Sequence, residues 1–287
     1  MYQEFKETWS ALTSPGADFE VITTPIRDIP VPTYRTAPAT LRDIWLSTLP
    51  YGDREYLIYR DERLTYGEAH RQVAGLANWL IAHGVRPGDR VAIAMRNYPE
   101  WMLSYWAIVS MGATVVGMNA WWVGDEMRFG LEDADPKALI VDQERLATVS
   151  ALGDALSGIH LIGVRLSTPE PGVTPWSEAT DGTEPLPEVA IDTDSDACIF
   201  YTSGTTGRPK GAQLTHRGCV SNVWSLLFSA AMQRALAIKN GKMSESDEPP
   251  IPVTLVTTPL FHVTANNCVA QVATIAGGKL VHMYKWD

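Results

Sequence analysis

Residues 101–124 contain no charged side chain, and no other feature restricts the fold of this chain as much. A stretch of that length either crosses a bilayer or lies buried inside a protein. Its interior favours burial. Gly112 breaks the run in the middle, Val115 and Val116 change its character from helical to strand-like, and Asn119 and Gly124 follow. Breaks of this kind suit a buried helix, a turn and a buried strand. Pro99 opens that helix, which is expected to run to about Met111, and the strand is expected at 113–118.

A helix and a strand that are apolar all round need cover on every side, and the flanking sequence can supply it. Thr65 and Glu68 form a capping box, in which two side chains satisfy free amides at a helix start. Behind it, Ala69, Val73, Leu76, Ala77 and Leu80 recur at helical spacing and give one apolar face. Gly84 is suited to the left-handed cap that ends such a helix. Pro87-Gly88-Asp89 then turns the chain into an apolar run at 91–95. A short helix is expected at 125–133, with strands at 137–141 and 160–166. Short apolar strands separated by helices predict an α/β fold, with doubly wound, mostly parallel sheets flanked by helices.

The rest of the chain divides by composition. Residues 1–40 read as an irregular, proline-studded lead-in, and residues 167–196 as a connecting segment with Pro169, Pro171, Pro175, Pro185 and Pro187. Beyond it, strands are expected at 197–201, 253–257 and 279–283, with helices at 215–238 and near 266–275 and a polar loop at 239–250. This places a first α/β subdomain, with its lead-in and linker, at 1–190. The start of a second falls at 191–287.

A net charge of −10 disfavours wholesale attraction to nucleic acid or an anionic membrane. Peripheral membrane contact and a homodimer are left open. Cys198, Cys219 and Cys268 are odd in number and far apart, and fit neither a disulfide framework nor a metal site. With no apolar run in the first ten residues to serve as a signal peptide, a reducing, cytoplasmic location is expected.

In such an acidic chain a polyanion must be held by a local device, and one is present. Tyr201-Thr-Ser-Gly-Thr-Thr-Gly-Arg-Pro-Lys-Gly211 reads as a loop between a strand and a helix. Gly204, Gly207 and Gly211 allow close backbone approach. Ser203, Thr205 and Thr206 offer hydroxyls, successive amides can form an anion-binding concavity, and Lys210 adds a mobile charge. The Walker pattern is excluded, because Arg208 and Pro209 separate the last loop glycine from the lysine and Gly211 follows it.

This run, with Thr215-His216 after it, resembles the phosphate-loop signature of the adenylate-forming (AMP-binding) superfamily. Leu64-Thr-Tyr-Gly-Glu68, residues 84–91, Asn97-Tyr-Pro-Glu100 and Met111-Gly-Ala113 with Asn119 resemble its N-terminal half in order and spacing. The likeness runs from about residue 40 to the end. It implies a two-step reaction: a carboxylate attacks Mg-ATP to give an acyl-adenylate and pyrophosphate, and a thiol, commonly coenzyme A, then displaces AMP. On this resemblance Thr202, Ser203, Gly204, Thr205, Thr206, Gly207 and Lys210 hold the β- and γ-phosphates, with the Thr206 hydroxyl beside Mg2+. Lys210 and Thr206 are the catalytic candidates.

Pro259-Leu-Phe-His-Val-Thr-Ala265 resembles the family's aromatic-histidine segment at the acyl site, and makes His262 the candidate substrate contact. Where relatives carry a glycine soon after the histidine, this chain has Ala265-Asn266-Asn267. Trp121 and Trp122 are read as core residues rather than the lining of an acyl tunnel. Residues 119–122 and 260–262 look most like fatty-acyl ligases, so a fatty-acid–CoA ligase is expected. An aryl- or amino-acid adenylating enzyme and a non-catalytic nucleotide-binding module are the alternatives. The family's downstream motifs cannot be placed by Asp287, so a truncated portion, without the C-terminal subdomain and inactive alone, is expected.

Overall fold

The computed structural model describes residues 2–202 and 207–284. The expected irregular lead-in is in fact ordered. Helix α1 (Tyr2–Thr13) is followed by an antiparallel hairpin, β1 (Val21–Ile26) with β2 (Ile29–Tyr34). Its prolines are tolerated because a two-stranded ribbon leaves outward amides unpaired, and Pro25 sits opposite Pro30. Arg27 and Asp28 both take positive φ at the turn, 49° and 64°, the backbone that a two-residue hairpin requires. Thr40 then caps α2 (Leu41–Leu46).

A second hairpin, β3 (Glu55–Tyr59) and β4 (Glu62–Thr65), leads into α3 (Tyr66–Ala82) through the expected Thr65–Glu68 capping box. Gly84 ends the helix at φ 87°. β5 (Arg90–Ala94), α4 (Pro99–Ser110) and β6 (Thr114–Gly117) follow. The uncharged run therefore resolves into helix, turn and strand. Gly112 turns it at φ 78°, a conformation that costs a residue with Cβ. Among the described residues no helix is long and apolar enough to cross a membrane.

The chain continues through α5 (Gly124–Ala134), β7 (Ala138–Asp142), α6 (Gln143–Ser150) and β8 (His160–Val164). The connecting segment contributes a short strand, β9 (Val173–Pro175), and α7 (Trp176–Thr180). Next come β10 (Asp196–Thr202), β11 (Lys210–Thr215) and α8 (His216–Lys239). β12 (Val253–Val256), a π-helical turn at Thr264–Ala270, α9 (Gln271–Ile275) and β13 (Lys279–His282) complete the chain.

Two large sheets result, in the orders β11-β10-β6-β5-β7-β8-β9 and β12-β13-β3-β4. Both are parallel apart from β11 and β4 at their edges. Each sheet draws strands from both sides of residue 190. The boundary between 1–190 and 191–287 is therefore not a boundary between sheets.

Helix α4 is buried on every face except at Glu100. Its Trp106 stacks on Trp45 with ring centres 5.4 Å apart and donates its Nε1–H to the Tyr56 hydroxyl at 2.9 Å. Removing each such ring from water contributes roughly 4–6 kcal/mol of transfer free energy.

Candidate active site

The glycine–threonine run does not pass from a strand directly into a helix. It closes a β-hairpin. The ladder pairs Tyr201 with Gly211 and Thr202 with Lys210, and Thr215 then caps α8 by accepting the Gly218 amide. The second strand escapes sequence reading because residues 210–213 are exposed at a sheet edge and carry no apolar alternation.

The foot of the hairpin is held firmly. Tyr201 is buried, its ring packs edge-on against Trp122 at 5.1 Å, and its hydroxyl donates to Asp133 Oδ2 at 2.7 Å. Of the expected phosphate contacts, Thr202 and Lys210 are exposed across from each other, with Thr202 Oγ1 3.4 Å from the Lys210 carbonyl oxygen. Gly207 adopts φ 91° in open space. Ser203, Gly204, Thr205 and Thr206 lie outside the described residues. No cluster of three or more His, Cys, Asp or Glu suited to a metal occurs among the described residues.

Two residues of the aromatic-histidine segment, Pro259 and Phe261, line a cleft. Leu260 and Phe261 are buried while His262 is exposed, its ring 5.2 Å from that of Phe261. Asn97 holds this segment from the neighbouring sheet. Its Oδ1 accepts the Leu260 amide at 2.9 Å, and its Nδ2 donates to the carbonyls of Thr258 at 3.0 Å and Val256 at 3.4 Å. Asn97→Ala would orphan these buried groups. A loss of about 2 kcal/mol is expected, read as a lower urea midpoint at unchanged slope.

The cleft encloses about 270 Å³ and is lined by Arg96, Asn97, Trp121, Thr257, Pro259, Phe261 and Tyr284. These residues follow the C-terminal ends of β5, β6, β12 and β13. That edge is where open parallel sheets bind ligands. The two tryptophans separate here. Trp122 is core, as expected, whereas Trp121 is 52% exposed and meets Phe261 edge-on at 5.1 Å. Trp121, expected in the core, lines the cleft instead, and Arg96 and Tyr284 had no place in the sequence reading. A charge two residues beyond a strand end, as at Arg96, is the signal that could have pointed to a site there. A larger cavity, about 790 Å³ between α3 and residues 180–186, shares no lining residue with the cleft or the hairpin.

Asn266 and Asn267, which stand where relatives carry glycine, do not line the cleft. They are buried in a polar chain. Trp101 Nε1–H donates to Asn266 Oδ1 at 3.2 Å, Asn266 Nδ2–H to Asn267 Oδ1 at 3.0 Å, and Asn267 Nδ2 lies 3.3 Å from Cys219 Sγ. His216, next to the signature, is structural as well. Burial pushes its imidazole down to about 4, and its Nδ1 accepts the Leu41 amide at 3.2 Å.

A buried ion pair supports the cleft from behind. Arg145 Nη1 is 2.8 Å from Asp142 Oδ2, with the side chains 9% and 3% exposed. The same carboxylate accepts the Arg96 amide at 3.0 Å, and Arg145 Nε–H donates to the Ala120 carbonyl at 3.0 Å. The pair fixes the loops that carry Arg96 and Trp121.

The glycine–threonine hairpin and the aromatic cleft thus share one edge of the parallel sheets, and comparison with known proteins identifies the family. The family model for "AMP-binding enzyme" matches residues 47–287, and the chain belongs to that family. Feruloyl-CoA synthase from Amycolatopsis sp is 34% identical over 76% of this chain and 38% of its own length. Crotonobetaine/carnitine–CoA ligase from Salmonella paratyphi B is 28% identical over 86% of this chain and 47% of its own. The chain thus spans less than half the length of these relatives. ATP-bound MatB from Rhodopseudomonas palustris superposes with a TM-score of 0.64 at 25% identity, covering 87% of this chain and 46% of that one. The N-terminal domain of FACL13 from Mycobacterium tuberculosis shares the fold, with a TM-score of 0.68 at 24% identity over 86% of this chain and 58% of that one.

Proposed function

We propose that the protein activates a carboxylic acid with Mg-ATP and passes the acyl group to coenzyme A. The observation that carries this reading is the placement of the glycine–threonine hairpin and the aromatic cleft on loops leaving adjoining parallel strands. In the first step a carboxylate oxygen bonds to the α-phosphorus of ATP and pyrophosphate leaves. In the second, the coenzyme A sulfur bonds to the acyl carbon and AMP leaves. The work of residues 202–210 is electrostatic: amides, hydroxyls and the Lys210 ammonium meet the charge that develops on the departing pyrophosphate. His262, exposed beside Phe261 of the cleft, is the residue assigned to the acid's carboxylate.

Two readings of the acid are separable. A fatty acid rests on the likeness of residues 119–122 and 260–262 to fatty-acyl ligases. A compact aryl acid is favoured by the cleft itself, whose volume of about 270 Å³ and aromatic walls suit one ring better than a long chain. The identity with feruloyl-CoA synthase supports the same choice. A panel of acids assayed with the complete gene product should show pyrophosphate release only when an acid is present, and a thioester once coenzyme A is added. ATP binding without acid-dependent turnover for any acid would leave only a nucleotide-binding module.

A further inference from the structure

Among the described residues that line the cleft, Arg96 is the one cation. Its guanidinium lies near two rings, the central carbon 5.2 Å from the centre of Trp121 and 5.5 Å from that of Tyr284. Its Nε is shut off from solvent and has no hydrogen-bond partner among the described residues. The nearby carboxylates are engaged elsewhere. Arg145 pairs with both Asp142 and Glu144, and Glu144 also accepts the Tyr284 hydroxyl. The Glu144 carboxyl is held below its ordinary range by that hydroxyl first and by Arg145 next, with Arg96 contributing least.

A guanidinium held against aromatic rings keeps its N–H edge for a partner in its own plane. An oxygen acceptor in the cleft that Arg96 lines would answer its positive charge. The contacts also give a direction. His262 touches Phe261, Phe261 meets Trp121, and Trp121 meets Arg96. An acid whose reacting carboxyl lies at His262 would direct its far end along this aromatic wall towards Arg96.

We propose that Arg96 selects the acid. The substrate is a compact acid, about one ring in size, with an oxygen acceptor at the end remote from the carboxyl that is activated, and Arg96 donates to that oxygen. This inference rests on the acid-activating reading above.

The test compares acids matched in shape, cinnamate with 4-hydroxycinnamate and benzoate with benzene-1,4-dicarboxylate. Pyrophosphate release and calorimetric binding are measured for the wild type, Arg96→Met and Arg96→Lys. The wild type is expected to prefer the oxygen-bearing member of each pair. Arg96→Met should lower kcat/KM for that member by about 10- to 100-fold and for its plain partner by less than about 3-fold. Arg96→Lys, which keeps the charge without the planar fork, should retain part of the preference. Equal losses on both members would overturn the proposal and leave Arg96 as a prop for Trp121 and Tyr284. So would a preference that survives Arg96→Met, or a variant that weakens ATP binding and leaves acid binding intact. If no acid supports turnover but calorimetry keeps the oxygen dependence, the acid-activating reading fails and the Arg96 subsite stands. Turnover without that dependence removes the subsite and leaves the acid-activating reading intact.

Discussion

Arg145→Ala is expected to destabilise the chain by about 3–5 kcal/mol, the loss typical when one partner of a buried ion pair is removed. Asp142 would then be a buried carboxylate answered only by amides, those of Arg96 and of Arg145 itself. The Ala120 carbonyl would lose its donor too. Both consequences fall on the cleft, because Arg96 and Trp121 are carried by these backbone segments. Denaturant unfolding measures the first consequence, and acid binding by the folded fraction measures the second. The double variant Asp142→Asn, Arg145→Met removes both charges together and should recover much of the stability. If Arg145→Ala costs less than about 1 kcal/mol, the pair is not the support described above.

Much of the scaffold is legible in the sequence because local signals and burial agree. Thr65 with Glu68, Pro99, Gly84 and Gly112 mark ends and turns by their own chemistry, and the apolar runs between them have no alternative to the core. Reading fails where a residue's role depends on a partner distant in sequence. Lys210 to Gln213 form a strand only because β10 offers an open edge. The N-terminal helix α1 becomes stable through α8, where Trp9 meets Phe228 edge-on at 4.9 Å. Asn97 is visible in the sequence as part of a resemblance, but its task, holding residues 256–260 from another sheet, depends on contacts about 160 positions away. The site divides in the same way. Thr202, Gly207, Lys210 and His262 are named from motif alone; the first three lie in the hairpin, and His262 is exposed beside Phe261. Trp121 and Trp122 are neighbours of one type, and only the turn after β6 sends one into the core and the other into the cleft.

The hairpin and the cleft make different demands on the protein. The cleft is braced by Asn97, Asp142 and Arg145, which would suit the placing of an acid against fixed walls. The hairpin is anchored at Tyr201 and exposed at Thr202, Gly207, Arg208 and residues 210–213, and that exposure makes Lys210 a clean target. Lys210 forms no ion pair among the described residues and buries little surface, so Lys210→Ala should leave the unfolding midpoint nearly unchanged. Its ammonium is assigned to charge that grows as pyrophosphate departs, an interaction stronger in the transition state than in the ground state. Acid-dependent ATP–pyrophosphate exchange should therefore fall by about 100-fold, mainly through kcat, as when a single donor to a developing oxyanion is deleted. Lys210→Arg should recover part of the rate by restoring the charge. An exchange rate unaffected by Lys210→Ala would remove the residue from the site and return the hairpin to a purely structural role.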